Sequence, residues 1–360
     1  MQVSTTEDDA LDRIDRVRGR RPTLNDDVVT LAHGSGGKAA AALIQTVFIE
    51  AFGTLEAGEL TDAAVLPVSG DRLAYTTDSY VVQPIRFPGA SIGDLAVNGT
   101  VNDLAVSGAQ PRWLSAGFIL EEGLPIDTLR TIAADMRAAA DKAGVRIVTG
   151  DTKVVPRGAA DQVFINTSGI GLIPPERQLG AERVQAGDRV ILSGPIGAHG
   201  MAVMIARGNL AISADIASDS APVNGLVEAM YAAVEPADVR WMRDPTRGGV
   251  ATITNELVAG VDLGVMLDDE AITVLPAVRG ACDMLGIDPL YVANEGCFVA
   301  VVAAGAAEAA VAALHAAGAA QAAIIGQITA DLPGVVAVRN AFGGTRLMDM
   351  LVSDQLPRIC

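Results

Sequence analysis

Two consecutive prolines, Pro174-Pro175, cut this chain into halves, because neither can donate to a β-ladder and both fix φ. A strand over 162–173 has to stop there. Ahead of the break, short strands at 63–68 and 72–77 precede a helix over 92–107, a strand over 111–120, an amphipathic helix over 126–143 and a strand over 145–149. The order ββαβαββ predicts an α+β layer with its acidic residues at strand ends and on one helix. After the break, a strand at 188–193 leads into the glycine-rich turn 194–200 and a helix, and the turn 243–249 opens a helix to about 258. Strands recur near 264–267, 297–302, 323–328 and 335–338, with helices between. The alanine-rich run 302–323 reads as a covering helix rather than a membrane span, since Glu308 and His315 interrupt it and alanine is weakly apolar.

Length and charge narrow the function. The chain has 360 residues, enough for two cores, and carries a net charge of −17. That excess argues against nucleic acid or an anionic membrane as the main partner, and suits a pocket that handles anions through bound cations. Cys282, Cys297 and Cys360 show neither metal-ligand spacing nor an even-numbered framework, which points to a reducing, cytoplasmic compartment. No apolar run near the start resembles a signal segment. Residues 1–30 interleave arginine and aspartate without periodicity and read as a mobile arm.

Several loops carry chemistry. His33-Gly34-Ser35-Gly36-Gly37-Lys38 stands before a helical stretch, and two readings stay open there: backbone N–H groups turned to a phosphate, or a linker ending at a helix start. It is not a Walker A pattern, its glycines being too closely spaced. Lysine occurs only as Lys38, Lys142 and Lys153, two of them in glycine- or aspartate-rich loops, where a compact charge of adjustable pKa has a use. Asp62, Asp78, Asn102, Asp103 and Asp151 gather at element ends in the first half, with Asp244, Asn294 and Glu295 in the second. Hard oxygen ligands without cysteine or histidine suit Mg²⁺ bound through carboxylates and nucleotide phosphates. The chain ends Pro357-Arg358-Ile359-Cys360, a thiol beside a terminal carboxylate that gains reactivity only by entering a site rich in positive charge.

Taken together, Thr76-Thr77-Asp78-Ser79, Gly99 to Ala105, Gly150-Asp151-Thr152-Lys153, Asp244-Pro245-Thr246-Arg247-Gly248-Gly249 and Asn294-Glu295-Gly296 resemble the aminoimidazole ribonucleotide synthetase (PurM-like) superfamily. With the His33–Lys38 loop and the terminal Pro-Arg-Ile-Cys, the chain resembles the HypE family of [NiFe]-hydrogenase maturation factors from about Leu31 to its last residue. Residues 1–30 extend beyond the usual start. The resemblance implies a two-domain α+β architecture, an N-terminal mixed or antiparallel sheet covered by helices and a C-terminal α/β sandwich. The expected segments are 1–30 (arm), 31–177 (ATP and metal domain), 178–344 (second domain) and 345–360 (flexible tail with the acceptor cysteine).

It also implies an ATP-dependent carbamoyl dehydratase. Cys360 receives a carbamoyl group from a carbamoyltransferase, HypF, and dehydration leaves a thiocyanate that passes to a HypC–HypD complex as cyanide for the hydrogenase iron. Asp62, Asp78, Asp103 and Asp151 are then expected at Mg²⁺. His33, Gly34, Gly36, Gly37, Lys38, Asp78, Asn102, Asp103, Asp151, Asp244, Thr246 and Arg247 are expected at ATP. Glu295 is expected as proton acceptor and Lys153 as electrostatic stabiliser or proton shuttle beside Cys360. A homodimer is implied too. Rival readings are a selenophosphate synthetase-like small-molecule kinase, for which Cys360 is dispensable, and a non-enzymatic carbamoyl carrier.

Overall fold

The computed structural model describes residues 38–43, 64–68, 71–208, 214–351 and 359–360. The chain forms two compact units, Met1–Gly58 with Met350–Pro357, and Glu59–Asp349 with Arg358–Cys360. In the small unit, helix α1 (Lys38–Leu43) begins with Lys38, whose N–H donates to the Leu351 carbonyl at 3.1 Å. The arm 1–30, His33, Gly34, Gly36, Gly37 and Asp62 lie outside the described residues.

In the large unit, the first sheet contains β1 (Ala64–Val68), β2 (Asp71–Tyr80), β5 (Gln110–Glu121), β6 (Arg146–Val155) and β7 (Val163–Ile173). Their spatial order is β1-β2-β7-β5-β6, antiparallel except for the β5–β6 pair, with a short ribbon of β3 (Arg86–Phe87) and β4 (Ala90–Ser91) alongside. Period-two alternation fixes the faces. Along β7, Val163, Ile165 and Thr167 are buried while Asn166 and Leu172 face out.

Helix α2 (Ile92–Val106) joins the two halves of the fold. It starts at a capping box, with the Ser91 hydroxyl accepting from the Gly93 N–H and the Asp94 carboxylate accepting from the Ser91 N–H. It is buried on nearly every side, although Asn98, Thr100 and Asn102 are polar and only Asp94 and Asp103 are partly open. Leu104 packs with Ala74 and Ile173 of the first sheet, whereas Ala105 and Val106 join the core of the second. Helix α3 (Ile126–Ala143) is amphipathic instead: it buries Ile132, Met136, Ala139 and Ala140 and stops at Gly144, whose φ of 72° suits glycine.

The second sheet runs β14-β13-β10-β12-β8-β11-β9, from β8 (Arg189–Leu192), β9 (Val239–Arg243), β10 (Gly264–Asp268), β11 (Val299–Val302), β12 (Ala323–Thr329), β13 (Val336–Arg339) and β14 (Thr345–Met348). One face packs Val190, Leu192, Val265 and Val299 against helix α6 (Gly249–Ala259). The other packs Ile191, Met242 and Ala300 against α5 (Asn224–Ala233) and α8 (Ala307–Ala316). Helices α4 (Ala198–Ala206) and α7 (Pro276–Leu285) complete the layer.

Three elements differ from the sequence expectation. The segment Gly150-Asp151-Thr152-Lys153 is not a loop but the middle of β6, which pairs with β5 as far as Val155. An edge strand tolerates polar side chains and a glycine that a central strand rejects, so loop-like composition misled there. Val239–Arg243 is a sheet strand, β9, held against β11. Thr345–Met348 pairs with β13, so the segment 345–360 begins inside the sheet. No described helix is long and apolar enough to cross a membrane.

Candidate active site

The last two residues are seated in the large unit. The Val81 N–H donates to the Cys360 carbonyl at 3.2 Å, and Nε2 of His199 lies 2.6 Å from the Ile359 carbonyl oxygen. Ile359 is 2% exposed and the Cys360 thiol is half-buried.

Strand β2 and helix α2 build one wall of the site. The buried Tyr80 hydroxyl donates to Asp78 Oδ2 at 3.2 Å, and Thr76 donates to Asp103 Oδ2 at 2.8 Å. Tyr80 fits because Gly99 on α2 has no side chain; a Cβ there would overlap the phenol. Burial first, then the charges of Asp78, Asp103 and Glu295, push the Tyr80 phenol well above its usual pKa. Those three carboxylates therefore act on one space, beside the strand end that receives Cys360.

The opposite wall is made of loops. Arg247 comes from the turn after β9, where Gly248 and Gly249 have φ of 76° and 60° and a Cβ on Gly249 would strike the Leu290 and Val292 carbonyls. Asn294 pins that turn: its Nδ2 donates to the Pro245 carbonyl at 2.9 Å, and its Oδ1 accepts from the Gly197 N–H at 2.6 Å. The negative charge of Cys360 is the foremost cause raising the Arg247 pKa, with Asp78 and Glu295 adding to it and desolvation opposing. The cation thus faces the end of the chain.

Glu295, next in sequence, is 3% exposed. Burial, followed by Asp244, Asp219 and Asp78, drives its carboxyl well above the usual range, Arg247 working in the other direction. Its main chain is held on both sides. The Glu295 N–H donates to Asp219 at 3.2 Å, and its carbonyl accepts from Asn102 Nδ2, also at 3.2 Å. Asp219, half-buried, is pushed up to about 6, desolvation outweighing the N–H groups of Glu295, Gly296 and His199 that favour its charge.

Arg247 joins these groups, its charge acting on Cys360, Asp78, Glu295 and Tyr80, while Asp78, Asp103 and Glu295 act on Tyr80 and Asp244 acts on Glu295; the Thr246 N–H donates to the Asp244 carbonyl at 3.0 Å. Asn102, expected at the nucleotide, is committed to the interior. Its Nδ2 donates to the Ala221 and Glu295 carbonyls and its Oδ1 accepts from the Val223 N–H at 2.8 Å, so it braces the site. Lys153 and Asp151 pair at 2.9 Å on β6, both largely exposed. Among the described residues no three Asp, Glu, His or Cys side chains are grouped to hold one metal ion. Of the expected metal set, Asp78 and Asp103 both act on Tyr80, Asp151 sits on the exposed edge strand, and Asp62 lies outside the described residues.

Sequence reasoning passed over Tyr80, His199, Ser218 and Asp219. The signals were slight: a histidine in the glycine-rich turn before α4, and Ser218-Asp219-Ser220 in a stretch with no periodicity. His315 holds the Ala322 carbonyl at 2.8 Å, and Cys282 and Cys297 are core.

Residues 60–173 match the model for the N-terminal domain of AIR synthase related proteins, and residues 185–339 that for the C-terminal domain. The chain is 51% identical to a carbamoyl dehydratase HypE of Rhodobacter capsulatus over 341 residues, 94% of this chain and 99% of that relative. Its structure is similar to that of a HypE–HypF complex, with a TM-score of 0.81 and 42% identity over 86% of this chain and all of the matched chain. A HypE in complex with ATP gives a TM-score of 0.76 and 46% identity, covering 92% of this chain and 100% of that one.

Proposed function

This chain belongs to the HypE family of AIR synthase-related proteins, and from that membership we propose that it dehydrates a carbamoyl group borne on its own Cys360, using ATP, during [NiFe]-hydrogenase maturation. The observation that carries the reading is the chain end seated by Val81 and His199, with Arg247, whose charge also acts on Tyr80 and Glu295, facing Cys360. The reaction balances as thiocarbamate plus ATP giving thiocyanate, ADP, phosphate and a proton: the C–O bond breaks, its oxygen leaves on phosphate, and nitrogen gives up both hydrogens.

The chain's own residues account for three requirements. Arg247 offsets negative charge at the sulfur and at the departing oxygen. Glu295 handles a nitrogen proton. Its raised pKa makes it a strong acceptor once empty, and with Asp78, Asp219 and Asp244 close by it holds a proton until the charge around it changes. Tyr80, kept neutral, donates to Asp78 and fixes that carboxylate.

ATP is the co-substrate that turns a poor leaving oxygen into a good one, and binding of ATP by a relative supports its use here. The expected phosphate loop, His33 to Gly37, lies outside the described residues, and Lys38 opens α1 beside it in sequence. Mg²⁺ belongs to the proposal through Asp62, Asp78, Asp103 and Asp151. The described carboxylates do not complete a site for it, so no step is drawn through the ion.

HypF is the proposed carbamoyl donor, on the strength of the relative's complex, and a HypC–HypD assembly the acceptor. A reducing, cytoplasmic setting suits a reactive terminal thiol. A homodimer is proposed through the open face of the first sheet, where Tyr75, Trp113, Ile119 and Leu172 are all more than 40% exposed.

Intact-protein mass spectrometry after incubation with HypF, carbamoyl phosphate and ATP tests the reading. The carbamoyl mass should appear on the C-terminal peptide and then fall by one water. A carbamoyl adduct that persists with ATP present identifies a carrier and removes the enzyme.

A further inference from the structure

The sequence singles out nothing at His199, yet this side chain is fully buried and makes two polar contacts that face opposite ways. Nε2 meets the Ile359 carbonyl at 2.6 Å, and Nδ1 meets the Ser218 hydroxyl at 2.9 Å. A carbonyl oxygen can only accept, so Nε2 carries a proton. Burial lowers the His199 pKa to about 4, so the ring is neutral and Nδ1 is a bare acceptor. Ser218 must then donate its hydroxyl hydrogen to Nδ1, while its oxygen accepts from the Ser220 N–H at 3.1 Å. The donor–acceptor assignment is complete and has one solution.

The ring cannot turn away. Phe87 stacks edge-on against it, with centroids 5.5 Å apart and planes at 84°. Its backbone N–H is taken by Asp219, the same carboxylate that accepts from Glu295 and Gly296. Gly197, just before, is pinned by Asn294. Ser218 is held in turn by its N–H to the Pro88 carbonyl at 2.8 Å.

We propose that His199 is the positioning residue that clamps the chain end in its site, gripping the backbone at Ile359 rather than any side chain, with Ser218 setting which ring nitrogen bears the proton. A backbone grip tolerates chemical change at sulfur: thiol, thiocarbamate and thiocyanate all present the same Ile359 carbonyl. Asp219 ties the clamp to Glu295, so the substrate's anchor and the residue assigned to its proton are set by one carboxylate. The importance of the clamp for turnover rests on the function proposed above, but its existence does not.

Alkylation of the full-length protein by iodoacetamide, read on the C-terminal peptide by mass spectrometry, tests this without ATP or HypF. His199→Phe should label Cys360 about five- to tenfold faster than the natural protein. His199→Gln, which returns an N–H near the Nε2 position, should stay within about twofold, and Ser218→Ala should fall between. Cys282 and Cys297 are 0% and 2% exposed, so their labelling reports loss of fold.

Equal labelling of the natural and Phe forms overturns the clamp, as does a Gln form as fast as Phe. Should a variant unfold, ¹⁵N spectra of the natural protein, which has only three histidines, decide instead: a protonated Nε2 and bare Nδ1 at His199 support the clamp, and the reverse tautomer removes it. Failed water loss with a protected thiol would sink the proposed reaction and leave the clamp standing.

Discussion

The phenol of Tyr80 fills the space in which a side chain at Gly99 would begin. A glycine inside a buried helix is costly in isolation, and this one is explained by what it admits: an aromatic ring whose hydroxyl steadies Asp78. Gly99→Ala should therefore overpack the site and lower stability by about 1–3 kcal/mol in urea unfolding. Tyr80→Phe in the same chain should recover part of the loss, since it removes the nearest clashing atom. Additive costs would show that the two residues are not coupled.

Asn102 satisfies three buried backbone groups from one side chain. Asn102→Ala removes all three bonds, leaving the Glu295 carbonyl only the Ala221 N–H, and a loss of about 1–3 kcal/mol is expected from the desolvation left uncompensated. Asn102→Asp should be at least as damaging, because a carboxylate would face two carbonyls. Unfolding midpoints that stay at the natural value for both variants would contradict the bracing role.

Glu295→Gln preserves shape and removes the titrating proton. Carbamoylation of Cys360 should continue while the water-loss step slows by about 10²-fold or more, read as first-order conversion by mass spectrometry. Lys153→Ala separates structure from chemistry in a different way. The exposed Lys153–Asp151 pair adds little to stability, within about 1 kcal/mol, so slower dehydration in that variant would mark Lys153 as functional, and an unchanged rate would retire its proposed role.

His199 makes stability depend on pH. Its folded pKa of about 4 lies below the usual 6.5, so its contribution is complete above about 6.5 and is lost as pH falls toward 4. Asp219 runs against this. Its pKa, raised from 3.8 to about 6, favours the fold more as pH drops through that window. Comparing His199→Phe with the natural protein cancels the Asp219 part. Between pH 7 and pH 5 the stability difference between them should move by about 2 kcal/mol in favour of the variant. A constant difference across that range would mean that His199 takes up a proton as readily folded as unfolded.

The proposed dimer face has its own check. Trp113→Glu with Ile119→Lys places charge on the open side of the first sheet, where both side chains are 44% exposed. Light scattering after size exclusion should show the natural protein at twice the chain mass and the double variant at one. A natural protein that elutes as a monomer would leave this face without a partner copy.

What could be read from sequence follows a physical divide. Period-two strands such as β7 declare themselves locally, as does helix α2 despite Gly99 and its polar residues, whereas Asp78 and Asp103 lie within β2 and α2 rather than at their ends. Only the start of β6 was legible, as the strand over 145–149; its second part was not, because an edge strand accepts a composition that elsewhere means a turn. The grip of His199 on Ile359 was out of reach for a stronger reason. It joins residues 160 positions apart through a backbone carbonyl, an atom every residue has, and so leaves no mark in either side chain. Asp219 is similar: its partners are amide hydrogens, and nothing in Ser218-Asp219-Ser220 announces them.

The Ile359 carbonyl is held by a hydrogen bond whose net value is only about 1 kcal/mol, and with the Val81 bond and the buried Ile359 side chain the seat of the chain end amounts to a few kcal/mol, a hold weak enough to release. An anchor many times stronger would hold the finished group where no acceptor could collect it. On the proposed reaction the molecule is its own reactant at a fixed local concentration, and its pace then depends on how often the terminus lets go.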